Sequence, residues 1–126
     1  MITIVTQSRY RIHKKKIEKL VEETLSKSWM GPNSNLNIVF VGRRKMKELS
    51  NTYKHENVAL PVLSFPYHKD SNSVATSETP VVGEVIICFP QAVLLAAERD
   101  KTLDGMLHDL VIHGINNIIN APKINA

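Results

Sequence analysis

The sequence predicts a single small α+β domain in which about four helices pack against a mixed sheet of about four strands. Its 126 residues suffice for one hydrophobic core and are too few for two. Some segments are rich in β-branched residues, as strands are, and in others the apolar residues recur at helical spacing. Read in order along the chain, these segments predict the succession β-α-β-α-β-β-α-α.

Turn-forming residues and changes of periodicity divide the chain into eight predicted elements. Strands are predicted where β-branched and aromatic residues cluster, over residues 1–6, 36–41, 62–65 and 83–89. Helices are predicted where apolar residues recur every three or four positions, over residues 13–27, 43–53, 91–99 and from 102 or 104 to 120. The polar stretch 67–82 is rich in Ser and Thr, which predicts a long mobile loop of the kind that borders functional sites.

The last predicted helix carries the clearest pattern and is expected to form the centre of the core. It is expected to end at Asn120, because Asn tolerates the left-handed terminal conformation and Pro122 restricts the residue before it, Ala121. One stripe of the helix collects its apolar residues and a glycine: Leu103, Met106, Leu107, Leu110, Val111, Gly114, Ile115 and Ile118.

The composition is that of an ordinary soluble globular protein, with 43% hydrophobic and 22% charged residues. No apolar run approaches the ~20 residues that span a bilayer, and no secretory signal begins the sequence, so we expect a cytoplasmic protein. The single cysteine, Cys88, lies in an apolar run and is expected to be buried; one thiol excludes an internal disulfide and a Cys-based zinc cluster. Lys and Arg exceed Asp and Glu by four, which suits either a phosphate-rich partner or a solvated surface.

Polar side chains on the last predicted helix are the first candidates for chemistry. His113, Asn117 and Asn120 fall on one flank, beside the apolar stripe. A catalytic zinc usually takes three His or carboxylate ligands and a water, whereas amides are weak donors to zinc. The alternative is a buried or half-buried histidine that is hydrogen-bonded to its neighbours.

The segment around His113 resembles the signature of the YbeY family, metal-dependent endoribonucleases that mature ribosomal RNA. Residues 110–114, Leu-Val-Ile-His-Gly, match the start of a motif that reads His-Gly-x-x-His followed by Gly-x-Asp-His. The family's three His bind zinc, so the resemblance transfers a ligand role to His113. The remaining signature positions, in register, are occupied by Asn117 (second His), Asn120 (Gly), Pro122 (Asp) and Lys123 (third His).

The resemblance extends over most of the chain. Residues 62–66 are similar to the family's central strand motif, and residues 83–88 to the strand before its third helix. At the end of the second helix the family generally has Arg where this chain has Lys54, which keeps the charge without the bidentate fork that grips phosphate. The Thr and the Asp or Asn that precede the family's strand motif fall on Leu60 and Pro61.

The resemblance implies one YbeY-like domain over residues 1–126, without the C-terminal segment typical of relatives; a further possibility is that residue 126 is not the natural C-terminus. It also implies ribosomal RNA or the ribosome as partner and zinc as the family's cofactor. Because one of three expected ligands is present, we expect zinc not to be held tightly and cleavage of single-stranded RNA to be absent or weak. The alternative is a non-catalytic relative that keeps the fold and binds the ribosome or RNA. The oligomeric state is not predicted.

Two further groups of residues have open interpretations. Asp109 precedes His113 by one helical turn, and His108 is adjacent to it. Asp109 and His113 could therefore share an ion, or form an ordinary surface ion pair or hydrogen bond. The basic runs 14–16 and 43–47 begin predicted helices, where positive charge opposes the helix dipole, so they either contact phosphate or form solvated faces. His55 and His68 lie near the strand at 62–65, but their spacing predicts no role.

Overall fold

The computed structural model describes residues 1–31, 33–67 and 81–121. Four strands and four helices follow one another in the order predicted from the sequence. They are β1 (Ile2–Val5), α1 (Lys14–Ser26), β2 (Asn35–Val41), α2 (Arg43–Lys54), β3 (Val62–Pro66), β4 (Val81–Cys88), α3 (Phe89–Glu98) and α4 (Leu103–Ile119). The predicted α+β class is confirmed.

The sheet is mixed, with the strand order β1-β2-β4-β3. The first three strands in this order are parallel, and β3 pairs antiparallel with β4 at one edge. Parallel strands end at the same side of a sheet. Val5, Val41 and Cys88 therefore mark a common carboxyl edge, from which the chain continues towards α1, α2 and α3.

The two faces of the sheet are covered unequally. Strand residues alternate between the faces, so Ile38 and Val85 point to one face and Ile86 and Leu63 to the other. The first face packs against α1, α3 and α4 and forms the larger core. The second packs against α2 through Met46. None of the helices in the described ranges has the length and apolar character needed to cross a membrane.

Helix α4 is the central helix, as predicted. It begins after Thr102, whose hydroxyl accepts a hydrogen bond from the Gly105 amide at 3.0 Å and so caps the first turn. The helix ends at Asn120, its C-cap, as predicted, but Asn120 is not left-handed: its φ and ψ are −91° and 4°. The Asn120 amide donates to the Asn116 carbonyl at 2.9 Å, which continues the helical pattern through the last residue. The buried stripe consists of Met106, Leu107, Leu110, Val111, Gly114, Ile115 and Ile118.

Two predicted boundaries differ from the structure by two residues, and several others differ by one. Strand β4 begins at Val81 rather than at residue 83, because Val81 pairs with Asn35 of β2 and the Val82 carbonyl accepts from the Tyr67 amide at 3.0 Å. Of the stretch predicted as a loop, residues 68–80 lie outside the described residues. Helix α3 begins at Phe89, two residues early, with Pro90 in its first turn as predicted.

Gly114 lets α4 approach the sheet more closely than any larger residue would allow. A β-carbon at this position would lie 2.5 Å from Val85 Cγ1 and 3.1 Å from Val85 Cγ2. The Ser64 hydroxyl donates to the Gly114 carbonyl at 3.0 Å and adds a polar contact from β3. The close packing of α4 on the sheet therefore requires a glycine at position 114, whatever the role of His113.

We expect Gly114→Ala to lower the free energy of unfolding by about 1–3 kcal/mol, because the added methyl overpacks the contact with Val85. Chemical denaturation followed by circular dichroism measures the change. Asn116→Ala is the matched control, since Asn116 is exposed on the same helix and alanine favours helix there. An unchanged or higher stability of Gly114→Ala would show that α4 can move away at no cost.

Cys88 is buried, as predicted, at the end of β4. Burial raises the pKa of its thiol and outweighs the Gln91 backbone hydrogen bond and the positive charge of Arg43, which act in the opposite direction. The thiol is therefore protonated and shielded near neutral pH.

We expect Cys88 to react with an aromatic disulfide reagent at about pH 8 only as fast as the protein opens, because attack requires an exposed thiolate. The rate of colour release from native protein is compared with that in denaturant. Native labelling at the rate of the unfolded chain would contradict the buried position.

Candidate functional site

The outer side of α4 carries the residues that the family signature singled out. His113, Asn117 and Asn120 are all exposed, because the apolar stripe of the helix faces the sheet. The alternative of a buried or half-buried His113 is therefore wrong. The imidazole and the amides are open to solvent and to any ligand that approaches this side of the helix.

Edge strand β3 contacts both α4 and α2, the helix that ends at Lys54. On one face the Ser64 hydroxyl bonds to the Gly114 carbonyl of α4. On the other face the Phe65 ring meets the Tyr53 ring edge-to-face, with centroids 5.0 Å apart. Because adjacent residues of a strand point to opposite faces, β3 lies between the C-terminal parts of α4 and α2.

Lys54 is the last residue of α2 and is exposed. A cation is favoured at the C-terminus of a helix by the helix dipole. His113 and Lys54 thus flank the same edge strand from its two faces, each on an exposed part of its helix. Each is next in sequence to a residue that contacts β3, since His113 precedes Gly114 and Lys54 follows Tyr53.

A carboxylate, Glu84, lies on the α2 face of the sheet directly opposite Phe65 in the strand register. It accepts hydrogen bonds from the Asn37 amide and from the Tyr67 hydroxyl, both at 3.4 Å. Burial first, and then the negative charge of Glu84, raise the pKa of Tyr67, so its hydroxyl remains a donor. Glu84 was not predicted as a site residue; an acid within an otherwise apolar strand was the available signal.

Zinc does not fit the residues that this chain offers at the signature positions. In the described ranges no group of three or more His, Cys, Asp or Glu side chains could hold a metal ion. Pro122 and Lys123 lie outside the described residues, and neither is a zinc ligand by chemical type near neutral pH. His113 and the neutral amide of Asn117 remain as possible donors.

The other candidates for metal binding are placed differently by the structure. The Asp109 carboxylate forms an ion pair with the Lys101 ammonium, which supports the interpretation of a surface ion pair rather than a shared ion with His113. His55 ends α2 in the left-handed conformation, with φ at 56°, and is exposed. His68 lies outside the described residues.

The family model described as "Endoribonuclease YbeY" matches residues 3–118. The chain belongs to the YbeY family. That match covers all eight described elements apart from the first residue of β1 and the last residue of α4. The resemblance inferred from residues 110–114 and from the strand motifs is confirmed.

Curated relatives with the same name include an "Endoribonuclease YbeY" from Pseudomonas savastanoi, 32% identical over 93 residues, which covers 74% of this chain and 54% of that protein. Another, from Dehalococcoides mccartyi, is 32% identical over 112 residues and covers 82% of this chain and 70% of that protein. The chain thus spans about half the length of the Pseudomonas relative. The solution structure of TM1509 from Thermotoga maritima shares the fold, with a TM-score of 0.66 at 22% identity over 98% of this chain and 75% of that one.

We expect Asn117→His to raise zinc affinity by about tenfold or more, because it places a second imidazole one turn from His113 on the exposed side of α4. Calorimetric titration of untagged protein with zinc measures the effect. The matched control combines Asn117→His with His113→Ala, which restores the number of imidazoles to one. Equal affinities of the two variants would show that these positions cannot bind one ion together.

Proposed function

We propose that this chain is a YbeY-type protein that binds ribosomal RNA during its maturation and in ribosome quality control, and that it cleaves single-stranded RNA very weakly or not at all. The observation that carries the proposal is the outer side of α4. There, within a fold of the YbeY family, an exposed imidazole at His113 is followed one turn later by an exposed amide at Asn117. RNA as the partner is supported by the name of the matching family.

The weak activity follows from the ligand chemistry. Family-type hydrolysis would use a metal ion that lowers the pKa of a bound water towards ~7, which requires several strong ligands around the ion. His113 supplies one imidazole, and a neutral amide oxygen adds little binding energy for zinc. We therefore infer that the chain keeps the surface that meets RNA and has lost most of the means to cut it.

Lys54 is the residue we propose for contact with a phosphate at this site. It is exposed in the last turn of α2, on the same face of the sheet as Tyr53 and Phe65. An ammonium attracts a phosphate as a point charge, without the bidentate geometry of arginine. This interaction favours binding of RNA rather than the precise placement of a scissile bond.

A second candidate is a non-catalytic relative that binds the ribosome through protein surfaces. The exposed amides at Asn117 and Asn120 favour it, because hydrogen bonds to a protein surface need no metal. We propose the cytoplasm as the compartment of either function, since ribosomal RNA and ribosomes would be the partners.

We expect purified, untagged protein to bind single-stranded RNA and to show no chelator-sensitive cleavage of it. Elemental analysis is expected to find less than one zinc per chain. Gel analysis of labelled RNA, with and without chelator, measures cleavage, and fluorescence anisotropy measures binding.

The control is His113→Ala, which removes the remaining family ligand from an exposed position. Chelator-sensitive cleavage that disappears in this variant would establish an active enzyme and overturn the proposed loss. Ribosome binding without RNA binding would favour the second candidate.

A further inference from the structure

We propose a second RNA-binding surface at the carboxyl edge of the sheet, remote from His113, where exposed arginines and lysines contact backbone phosphates. This surface, called the basic pole below, rests on the proposed RNA-binding function. It consists of Arg9, Arg11, Lys14, Lys15, Arg43 and Arg44, all of which are exposed.

The fold brings these residues together from two separate parts of the sequence. Strands β1 and β2 are parallel neighbours and therefore end at the same edge. The connection after β1 carries Arg9 and Arg11 and enters α1 at Lys14, while the turn after β2 enters α2 at Arg43. Helices α1 and α2 lie on opposite faces of the sheet, so their first turns border the edge from both sides.

Tyr10 joins the two parts at their centre. Its ring stacks on Phe89, the first residue of α3, with centroids 4.4 Å apart, and the Arg9 guanidinium lies 5.3 Å from the Tyr10 ring centroid. A β-carbon built on Gly42, which precedes α2, would lie 3.3 Å from the Tyr10 hydroxyl. Arg9 and the residue before α2 therefore both lie next to Tyr10.

The charges of the basic pole are not compensated within the described ranges. The ion pairs there join His13 to Asp104 and Lys101 to Asp109, and neither includes a residue of the pole. The first turns of α1 and α2 contain no acidic residue, and the residues before them make no side-chain capping bond. Cations at the positive end of a helix dipole are unfavourable unless an anion binds there.

A buried polar atom gives independent support. The Tyr10 hydroxyl is buried and has no hydrogen-bond partner in the described structure. A buried hydroxyl normally has a partner. A phosphate seated between Arg9 and the first turn of α2 would bring an acceptor oxygen next to this hydroxyl, with a small local adjustment that opens it.

The pole lies at the opposite end of α4 from Asn117. At its first turn, α4 contacts the residue before α1, since Asp104 lies 2.9 Å from His13. At its other end, Ile118 packs against Gly83 near the start of β4. At 1.5 Å per residue, Asp104 and Asn117 are about 20 Å apart along the helix. A single RNA strand that reached both ends of α4 would be bound at two places. Contacts at His113 and Lys54 alone would hold it at one.

The test compares binding of a fluorescent single-stranded RNA to three proteins over a range of salt concentrations. The pole variant is Arg9→Gln with Arg43→Gln, and the control is Lys19→Gln with Arg99→Gln, which removes equal charge from exposed residues elsewhere. Thermal unfolding establishes that each is folded. We expect the slope of log affinity against log salt to shrink by about 1.4 in the pole variant, since each phosphate contact on a single strand contributes about 0.7.

A further variant, Tyr10→Phe, keeps every charge and removes the hydroxyl. We expect weaker RNA binding with an unchanged salt slope, because a donor and not a cation is lost. Equal affinity and slope for the pole and control variants, while the wild type binds RNA, would overturn the pole and leave the proposed function standing. Failure of the wild type to bind RNA would overturn both, and pole-dependent binding only to anionic phospholipid vesicles would assign the surface to a membrane instead.

Discussion

The close contact between α4 and the sheet at Gly114 positions everything else on this side of the molecule. Because no side chain intervenes, α4 lies against Val85 of the central strand β4 and receives the Ser64 hydroxyl from β3. The apolar stripe of the helix is then buried, and its opposite side must face solvent. His113 is exposed for this reason, even though the next residue, Gly114, is buried.

The same contact explains why the packing of α4 does not depend on the residues at its exposed signature positions. Core packing depends on the apolar stripe of α4 and on Gly114. A larger residue at position 114 would push the helix away from the sheet. Asn117 and Asn120 are exposed on the other side of the helix, where a side chain can change with little effect on core packing. The match to the YbeY family over residues 3–118 is consistent with this separation of packing and ligand positions.

Parallel pairing places the two groups of candidate residues at different ends of the molecule. The carboxyl edge gathers the basic residues that follow β1 and begin α2, whereas His113 and Lys54 adjoin the residues that contact Ser64 and Phe65 of β3. An arrangement of this kind suits a long, repeatedly charged ligand better than a small molecule, because a polymer can reach both ends at once. Nucleic acids gain affinity from each additional phosphate contact through the release of counterions.

The sequence by itself determined the succession of elements, the buried stripe of α4, the buried Cys88 and the family. These depend on local periodicity and on residue types, which are visible without coordinates. It placed Asn120 in the wrong conformation and began β4 two residues late, because the hydrogen bonds of Asn120 and the pairing of Val81 with Asn35 depend on the completed structure. Only the tertiary structure showed that Ser64 bonds to Gly114, that Glu84 is held by Asn37 and Tyr67, and that two basic runs share one edge. Those relations join residues far apart in sequence, and strand pairing, which brings them together, is not encoded in any one segment.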